Sequence, residues 1–308
     1  MELQPAQELG ERPAEHPTPL FKERLGSYLN LMKPHVTVLL LGTTLAAMVV
    51  ATRGFPPLGL VLATLLGGAM AAGSANAINC YWDRDIDQIM TRTQRRSLPA
   101  GRVEPGQALA FGLALAAGSF AVLAVWVNLL SALLALSAIV FYVLVYTAWL
   151  KRTSTQNIVI GGAAGAVPVL VGYAAVMGRL DLAAWWMFFI IFLWTPPHFW
   201  ALALLIKKDY ARAHIPMLPV VVGEYETKKQ ILLYSLLLLG ASLVLFAMHA
   251  MGFFYLASAV LLGGGLLFLA VRLLRERTSL AVARTLFWYS NLYLALIFAA
   301  MVIDRVMW

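Results

Sequence analysis

Nine stretches of the chain contain no Asp, Glu, Lys or Arg and are close to the length of a membrane crossing: 36–52, 58–78, 106–125, 129–150, 157–178, 182–206, 231–248, 253–271 and 285–303. A helix crossing the hydrocarbon core needs roughly 17–25 mostly apolar residues, and these stretches fit. The third and fourth are separated by no charge at all. A single helix over 106–150 would far overshoot one crossing at about 1.5 Å per residue, so a tight turn is expected near 126–128. The pattern predicts an all-α integral membrane protein of nine transmembrane helices around a central cavity.

The polar positions between these stretches are lopsided. With the N-terminus inside, the inner segments hold four Lys and Arg in the tail, five after the second crossing, two after the fourth, five after the sixth and four after the eighth. Only Arg53, Arg179 and Arg305 fall outside. Positive residues are retained on the cytoplasmic side, so the N-terminus is expected to be cytoplasmic and the C-terminus outside. The two long loops, 79–105 and 207–230, lie on the same cytoplasmic face, four helices apart, in a weak tandem repeat. They are expected to cap a common cavity.

Before the first crossing, Pro5, Pro13, Pro17 and Pro19 stand among alternating charges with almost no apolar periodicity. This predicts a disordered cytoplasmic tail over 1–27, followed by the transmembrane domain over 28–308. Glu2, Glu8, Glu11 and Glu15 do not suit an organelle transit peptide, and no basic start and apolar core of a signal peptide is present. A bacterial plasma (inner) membrane is the simplest setting.

Composition sharpens this. The chain is 61% apolar and 12% charged, against roughly 25% charged in soluble domains. Its net charge of +8 sits in short loops between apolar stretches, where lipid headgroups and topology explain it and nucleic acid is not implied. Cys80, the single cysteine, excludes an internal disulfide and a thiolate zinc site.

The chemistry concentrates at the end of the second stretch, in Asn79-Cys80-Tyr81-Trp82-Asp83-Arg84-Asp85-Ile86-Asp87. Asn79, Asp83 and Asp87 are spaced i, i+4, i+8. On a helix they form a column on one face, climbing about 6 Å and drifting about 40° per step, with Asp85 pointing away. Arg92, Arg95 and Arg96 follow. Carboxylates beside arginines suit a metal-bound polyphosphate, because Mg²⁺ is commonly held by one or two carboxylates plus the substrate's own phosphates. Asn79, Asp83 and Asp87 are therefore the expected metal ligands, with Arg92 and Arg96 as further catalytic groups. Lys33 and His35 at the mouth of the first crossing, and Lys207, Lys208, Asp209 and Arg212 in the facing loop, are expected to bind substrate.

His198 belongs to Trp194-Thr195-Pro196-Pro197-His198, where the sixth helix is expected to kink or break. An intramembrane histidine is by default a functional residue, though one that only satisfies carbonyls freed by the prolines is the plainer alternative. Gly161, Gly162, Ala163, Ala164 and Gly165 in the fifth crossing, with Pro168, predict close helix packing and no chemistry. Acids and arginines at the rim of an apolar bundle suit a substrate with a diphosphate head and a hydrocarbon tail. Ionising its allylic C–O bond calls for cations on the departing diphosphate and a dry cavity around the carbocation.

The column, followed by Arg92-Thr93-Gln94-Arg95-Arg96, resembles the first aspartate-rich motif of the UbiA superfamily of intramembrane prenyltransferases, and the resemblance extends over nearly all of 33–303. Within that superfamily it is similar to the branch whose acceptor is heme, through Lys33-Pro34-His35, the Asn79 to Asp87 string, 157–168, Pro197-His198, Lys208-Asp209-Tyr210 and Ile215-Pro216-Met217-Leu218-Pro219. The resemblance implies Mg²⁺-dependent transfer of the farnesyl group of farnesyl diphosphate to a vinyl group of heme B, giving heme O for terminal oxidases. It implies heme B as substrate and not as permanent cofactor, and the next enzyme of heme A synthesis as a partner. Quinone-type members carry two or more aspartates in the second loop; this chain keeps only Asp209 there, beside Lys207 and Lys208, which leaves extra positive charge for the diphosphate or the heme propionates. A quinone or other aromatic acceptor remains the alternative within the enzyme class. A secondary transporter is the alternative outside it, although transporters bind near the midplane and the acids here are at the rim.

Overall fold

A computed structural model describes residues 21–276 and 279–307. The elements are α1 (Phe21–Leu31), α2 (Pro34–Thr52), α3 (Leu58–Trp82), α4 (Arg84–Ile89), α5 (Pro105–Trp126), α6 (Leu129–Thr153), α7 (Asn157–Met177), α8 (Leu182–Leu205), α9 (Lys207–Arg212), α10 (Leu218–Val221), α11 (Glu224–Ala247), α12 (Phe253–Arg275) and α13 (Ala281–Met307). Among the described residues, α2, α3, α5, α6, α7, α8, α11, α12 and α13 are long and apolar enough to cross a membrane. The short elements α4, α9 and α10 lie in the two long loops, which share one end of the bundle, called here the loop face.

The expected turn between the third and fourth crossings falls at Val127 and Asn128. Asn128 builds it by accepting from the Ser131 amide at 2.8 Å as an N-cap while donating to the Ala174 carbonyl at 2.8 Å. That pins the turn to α7. Between Phe141 and Leu150, α6 changes to π-helical hydrogen bonding.

The small residues of α7 do what their size allows: the helix lies in the middle of the bundle, packed on α2, α6 and α8. A Cβ at Gly172 would overlap the Thr44 carbonyl oxygen, and one at Gly161 would overlap the Tyr146 ring. Backbone and ring occupy the space a side chain would need. Gly172→Ala is therefore expected to cost about 1–3 kcal/mol by overpacking, measured as a lower thermal midpoint in detergent. Gly165→Ala, with nothing within 4 Å of its added Cβ, is the matched control and is expected to be neutral or slightly stabilising.

Three expectations need correction. The disordered tail lies outside the described residues as far as 20, but from Phe21 the chain is the helix α1. Its Leu31 is buried with Ala77, Cys80, Leu98 and Val103, and the Ser97 hydroxyl donates to the Ser27 carbonyl at 3.0 Å. α1 thus clamps the first loop, a tertiary contact that local periodicity does not show. The second correction is to a break in α8, which stays helical through Pro196 and Pro197. Transmembrane helices tolerate proline where neighbours cover the freed carbonyls, and Thr195 adds a bond from its hydroxyl to the Ile191 carbonyl at 2.9 Å. Third, the helices outrun the uncharged stretches. α13 continues through Asp304, whose buried carboxylate accepts from the amides of Gly252 at 2.5 Å and Tyr255 at 3.0 Å and so caps the start of α12.

Candidate active site

The column forms, with a break in the helix that carries it. α3 ends at Trp82 and Asp83 leaves helical geometry at φ −89°, ψ 7°, yet the Asp83 amide still donates to the Asn79 carbonyl at 2.9 Å and the Asp87 amide to the Asp83 carbonyl at 2.8 Å. The i, i+4 register survives the break. Asn79, Asp83 and Asp87 are buried, whereas the side chain of Asp85 is 60% exposed.

Cations converge on these groups from three elements. Lys33, at the corner between α1 and α2, has φ +51°, a left-handed conformation uncommon outside glycine. That corner sends its ammonium to Asn79 Oδ1 at 2.9 Å, and burial pushes its pKa down to about 8. Lys151 of α6 donates to Asp83 Oδ2 at 2.5 Å, while Asn79 Nδ2 reaches the same oxygen at 2.6 Å and Thr147 Oγ1 at 3.2 Å. Arg96 holds both oxygens of Asp87, at 2.8 and 3.0 Å. Arg152 forks onto Asp85 at 2.8 Å to each oxygen, and its hydrogen bonds hold that carboxyl below the usual range. The same guanidinium lies 3.9 Å from Asp83 Oδ1.

The second loop meets the first through hydroxyl and carboxylate. Thr91 donates to Asp209 Oδ1 at 3.2 Å, and Arg212 donates to Thr91 at 2.6 Å and pairs with Asp209. Lys207 turns instead to Glu224 at 3.2 Å, and Lys208 is exposed. Arg92 is exposed beside Arg96 in a cavity of the first loop.

The two histidines stand apart from this network. His35 is exposed in the first turn of α2. His198 is buried between the rings of Trp194, at 4.4 Å, and Phe287, at 4.7 Å. Its partner is not a carbonyl freed by the prolines: Nδ1 lies 2.8 Å from the Ser290 hydroxyl, which itself donates to the Phe287 carbonyl at 2.7 Å. With the Ser290 proton given to the Phe287 carbonyl, this contact favours the tautomer in which Nδ1 donates and Nε2 keeps its lone pair.

Sequence reasoning missed Lys151, Arg152 and Thr147. The signal was present: two basic residues directly after an uncharged stretch, on the same face as the acids.

Among the described residues no three Asp, Glu, His or Cys side chains form a ready metal cage. Mg²⁺ does not need one, since phosphate oxygens and water complete its shell. Asp83 Oδ1 is buried without a hydrogen-bond partner, as are both amide atoms of Asn157, five residues after Arg152. Orphaned oxygens of this kind mark an incomplete site, and the donor set fits the ion.

Residues 40–292 match the profile of the UbiA prenyltransferase family. A protoheme IX farnesyltransferase of Gloeobacter violaceus is 54% identical, covering 95% of this chain and 96% of its own. One from Symbiobacterium thermophilum is 56% identical over 90% and 93%. The fold is shared with a digeranylgeranylglyceryl phosphate synthase, at TM-score 0.77 and 17% identity over 93% of this chain and all of that one. It is also shared with a UbiA homologue of Archaeoglobus fulgidus bound to DMAPP and Mg²⁺, at TM-score 0.64 and 17% identity over 89% and 99%. Buried carboxylates ringed by cations at the end of an apolar bundle thus coincide with a profile over most of the chain and relatives more than half identical to it, and the protein belongs to the UbiA prenyltransferase family.

Proposed function

We propose that the protein transfers the farnesyl group of farnesyl diphosphate to a vinyl group of heme B, making heme O. The observation that carries this is the convergence of Lys33, Lys151 and Arg96 on Asn79, Asp83 and Asp87 at the mouth of an apolar bundle.

Asn79, Asp83 and Asp87 would hold Mg²⁺, which when bound supplies charge to the departing diphosphate. Lys33, Lys151 and Arg96 donate hydrogen bonds to the diphosphate oxygens as the allylic C–O bond breaks and its electron pair leaves with oxygen. The bundle excludes water from the allylic cation. The vinyl π electrons form the new C–C bond; water then adds to the resulting benzylic-type cation and loses a proton, completing the hydroxyethylfarnesyl group. No nucleophilic side chain takes part.

Mass spectrometry of heme after incubation with farnesyl diphosphate and Mg²⁺ tests the reaction. The expected product carries one farnesyl group and one added water, and forms only with the metal. Unmodified heme alongside a prenylated quinone would assign a different acceptor.

We infer further that the loop face is cytoplasmic and the membrane a bacterial inner one, since 20 of 23 Lys and Arg lie on that side or in the tail. Single-cysteine probes near Arg92 and Asp209, placed in a Cys80→Ser background, are expected to label only from inside.

We propose His35 and His198 as the candidate ligands of the heme iron, and His198 is the better placed, because its contact with Ser290 favours the tautomer that leaves Nε2 able to meet iron. His198→Ala is expected to weaken heme binding, followed at the Soret band, with farnesyl diphosphate affinity intact. His35→Ala is expected to have the smaller effect. Unchanged heme spectra and affinity in both variants would remove the ligand role.

A further inference from the structure

Beside the column, the first loop borders a half-open cavity of about 300 Å³. Its walls include Leu31 of α1, Cys80 of α3 and four arginines, Arg92, Arg95, Arg96 and Arg102, and no carboxylate lines it. Arg96 is paired with Asp87, and Arg102 uses one donor on the Arg95 carbonyl at 2.7 Å. Among the described residues, the guanidinium groups of Arg92, Arg95 and Arg102 have no acidic partner. The frame behind them is packed rather than loose: Leu31, Cys80, Leu98 and Val103 are buried together, and Ser97 is bonded to the Ser27 carbonyl.

Three guanidinium groups around a concave space, without counter-charge, make an anion site, because the planar fork of arginine matches a carboxylate or phosphate. The volume sits at the lower end of small-molecule pockets, which suits a charged group and not a porphyrin plane. The diphosphate already has Lys33, Lys151 and Arg96 at the column. The acceptor is the second anion. Heme B bears two carboxylates and two vinyl groups on different parts of its rim, so an anchor for the carboxylates next to the column leaves a vinyl edge free to approach the allylic carbon.

We propose that Arg92, Arg95 and Arg102 bind the propionate carboxylates of the heme acceptor and so select which edge of the ring meets the farnesyl group. The assignment rests on heme being the acceptor. Heme B dimethyl ester, in which both carboxylates are neutral, is the direct probe. For the wild-type enzyme kcat/KM is expected to fall about 100-fold from heme B to the diester, roughly tenfold for each carboxylate whose charge is removed. In Arg95→Gln/Arg102→Gln the KM for heme B is expected to rise by a comparable factor, the diester to be used no worse than by wild type, and the KM for farnesyl diphosphate to stay unchanged. Equal use of heme B and its diester by the wild type overturns the proposal and needs no variant. So does an equal loss on both acceptors in the double variant. A rise confined to the farnesyl diphosphate KM would give the cavity to the diphosphate instead. A wild-type enzyme that farnesylates neither acceptor would overturn farnesyl transfer itself, a result distinct from all of these.

Discussion

Asp83→Asn is expected to lower kcat at least 100- to 1000-fold while the protein remains folded, and Asp87→Asn to do nearly the same. Losing one preorganised charged group from a desolvated site typically costs about that factor. Asp83 is fully buried and faces Lys151, so asparagine removes the negative charge and leaves an ammonium without its partner. Breaking a buried pair costs about 3–5 kcal/mol in the unfavourable case, which has to be separated from catalysis. The double variant Asp83→Asn/Lys151→Met supplies the separation: it is expected to recover the thermal midpoint and not the turnover. Asp85→Asn is the internal control, because its pair with Arg152 is largely exposed and such pairs contribute about 0–1 kcal/mol. Its turnover is expected to stay within a few-fold of wild type. Near-wild-type turnover in Asp83→Asn would remove the carboxylate from the mechanism, and equal losses at 83, 85 and 87 would contradict the column.

Lys151→Met is the second large effect. Its ammonium donates to Asp83 Oδ2, and Coulomb attraction between unit charges is about 4 kcal/mol at 4 Å and an effective dielectric of 20. A group already held at that position meets the departing diphosphate without reorganisation, so kcat is expected to drop about 100-fold. The KM for heme is expected to remain near the wild-type value. Lys151→Arg is expected to recover only part of the loss, since a planar fork does not reproduce a compact ammonium. A Lys151→Met enzyme whose kcat is unchanged would restrict this residue to holding Asp83.

The crossings and the column are legible in the sequence because each depends on spacing along the chain. Nine uncharged stretches, a turn at 126–128 forced by length, and an i, i+4, i+8 register need no partner from elsewhere. What the sequence hides lies in pairings between distant segments. Lys151 and Asp83 are separated by 68 positions, and along the chain alone Lys151 is only a topology charge. Ser290 is 92 positions from His198, so the neighbouring prolines give no sign of the partner that fixes the ring. α1 resembles tail because its apolar face is small; Leu31 and Ser27 become informative only once the first loop is packed on them. Lys207 has a partner that the loop's composition does not show. Its ammonium meets Glu224 at the start of α11, 17 positions further on, at 3.2 Å.

The π-helical stretch Phe141–Leu150 gives α6 two angular phases. Hydrogen bonds that reach five residues instead of four turn the chain through a smaller angle per residue, so the part beyond the stretch falls behind where an α-helix would have carried it. Before it, Ala132, Ala135 and Ile139 face the apolar neighbours Ala71 and Leu123; within and just after it, Thr147 faces Asn79 and Lys151 faces Asp83. Depth in the membrane and direction of aim are thereby set independently in one helix. A chain one residue shorter here would still cross the bilayer, with its lysine at nearly the same height and pointing at the wrong neighbour.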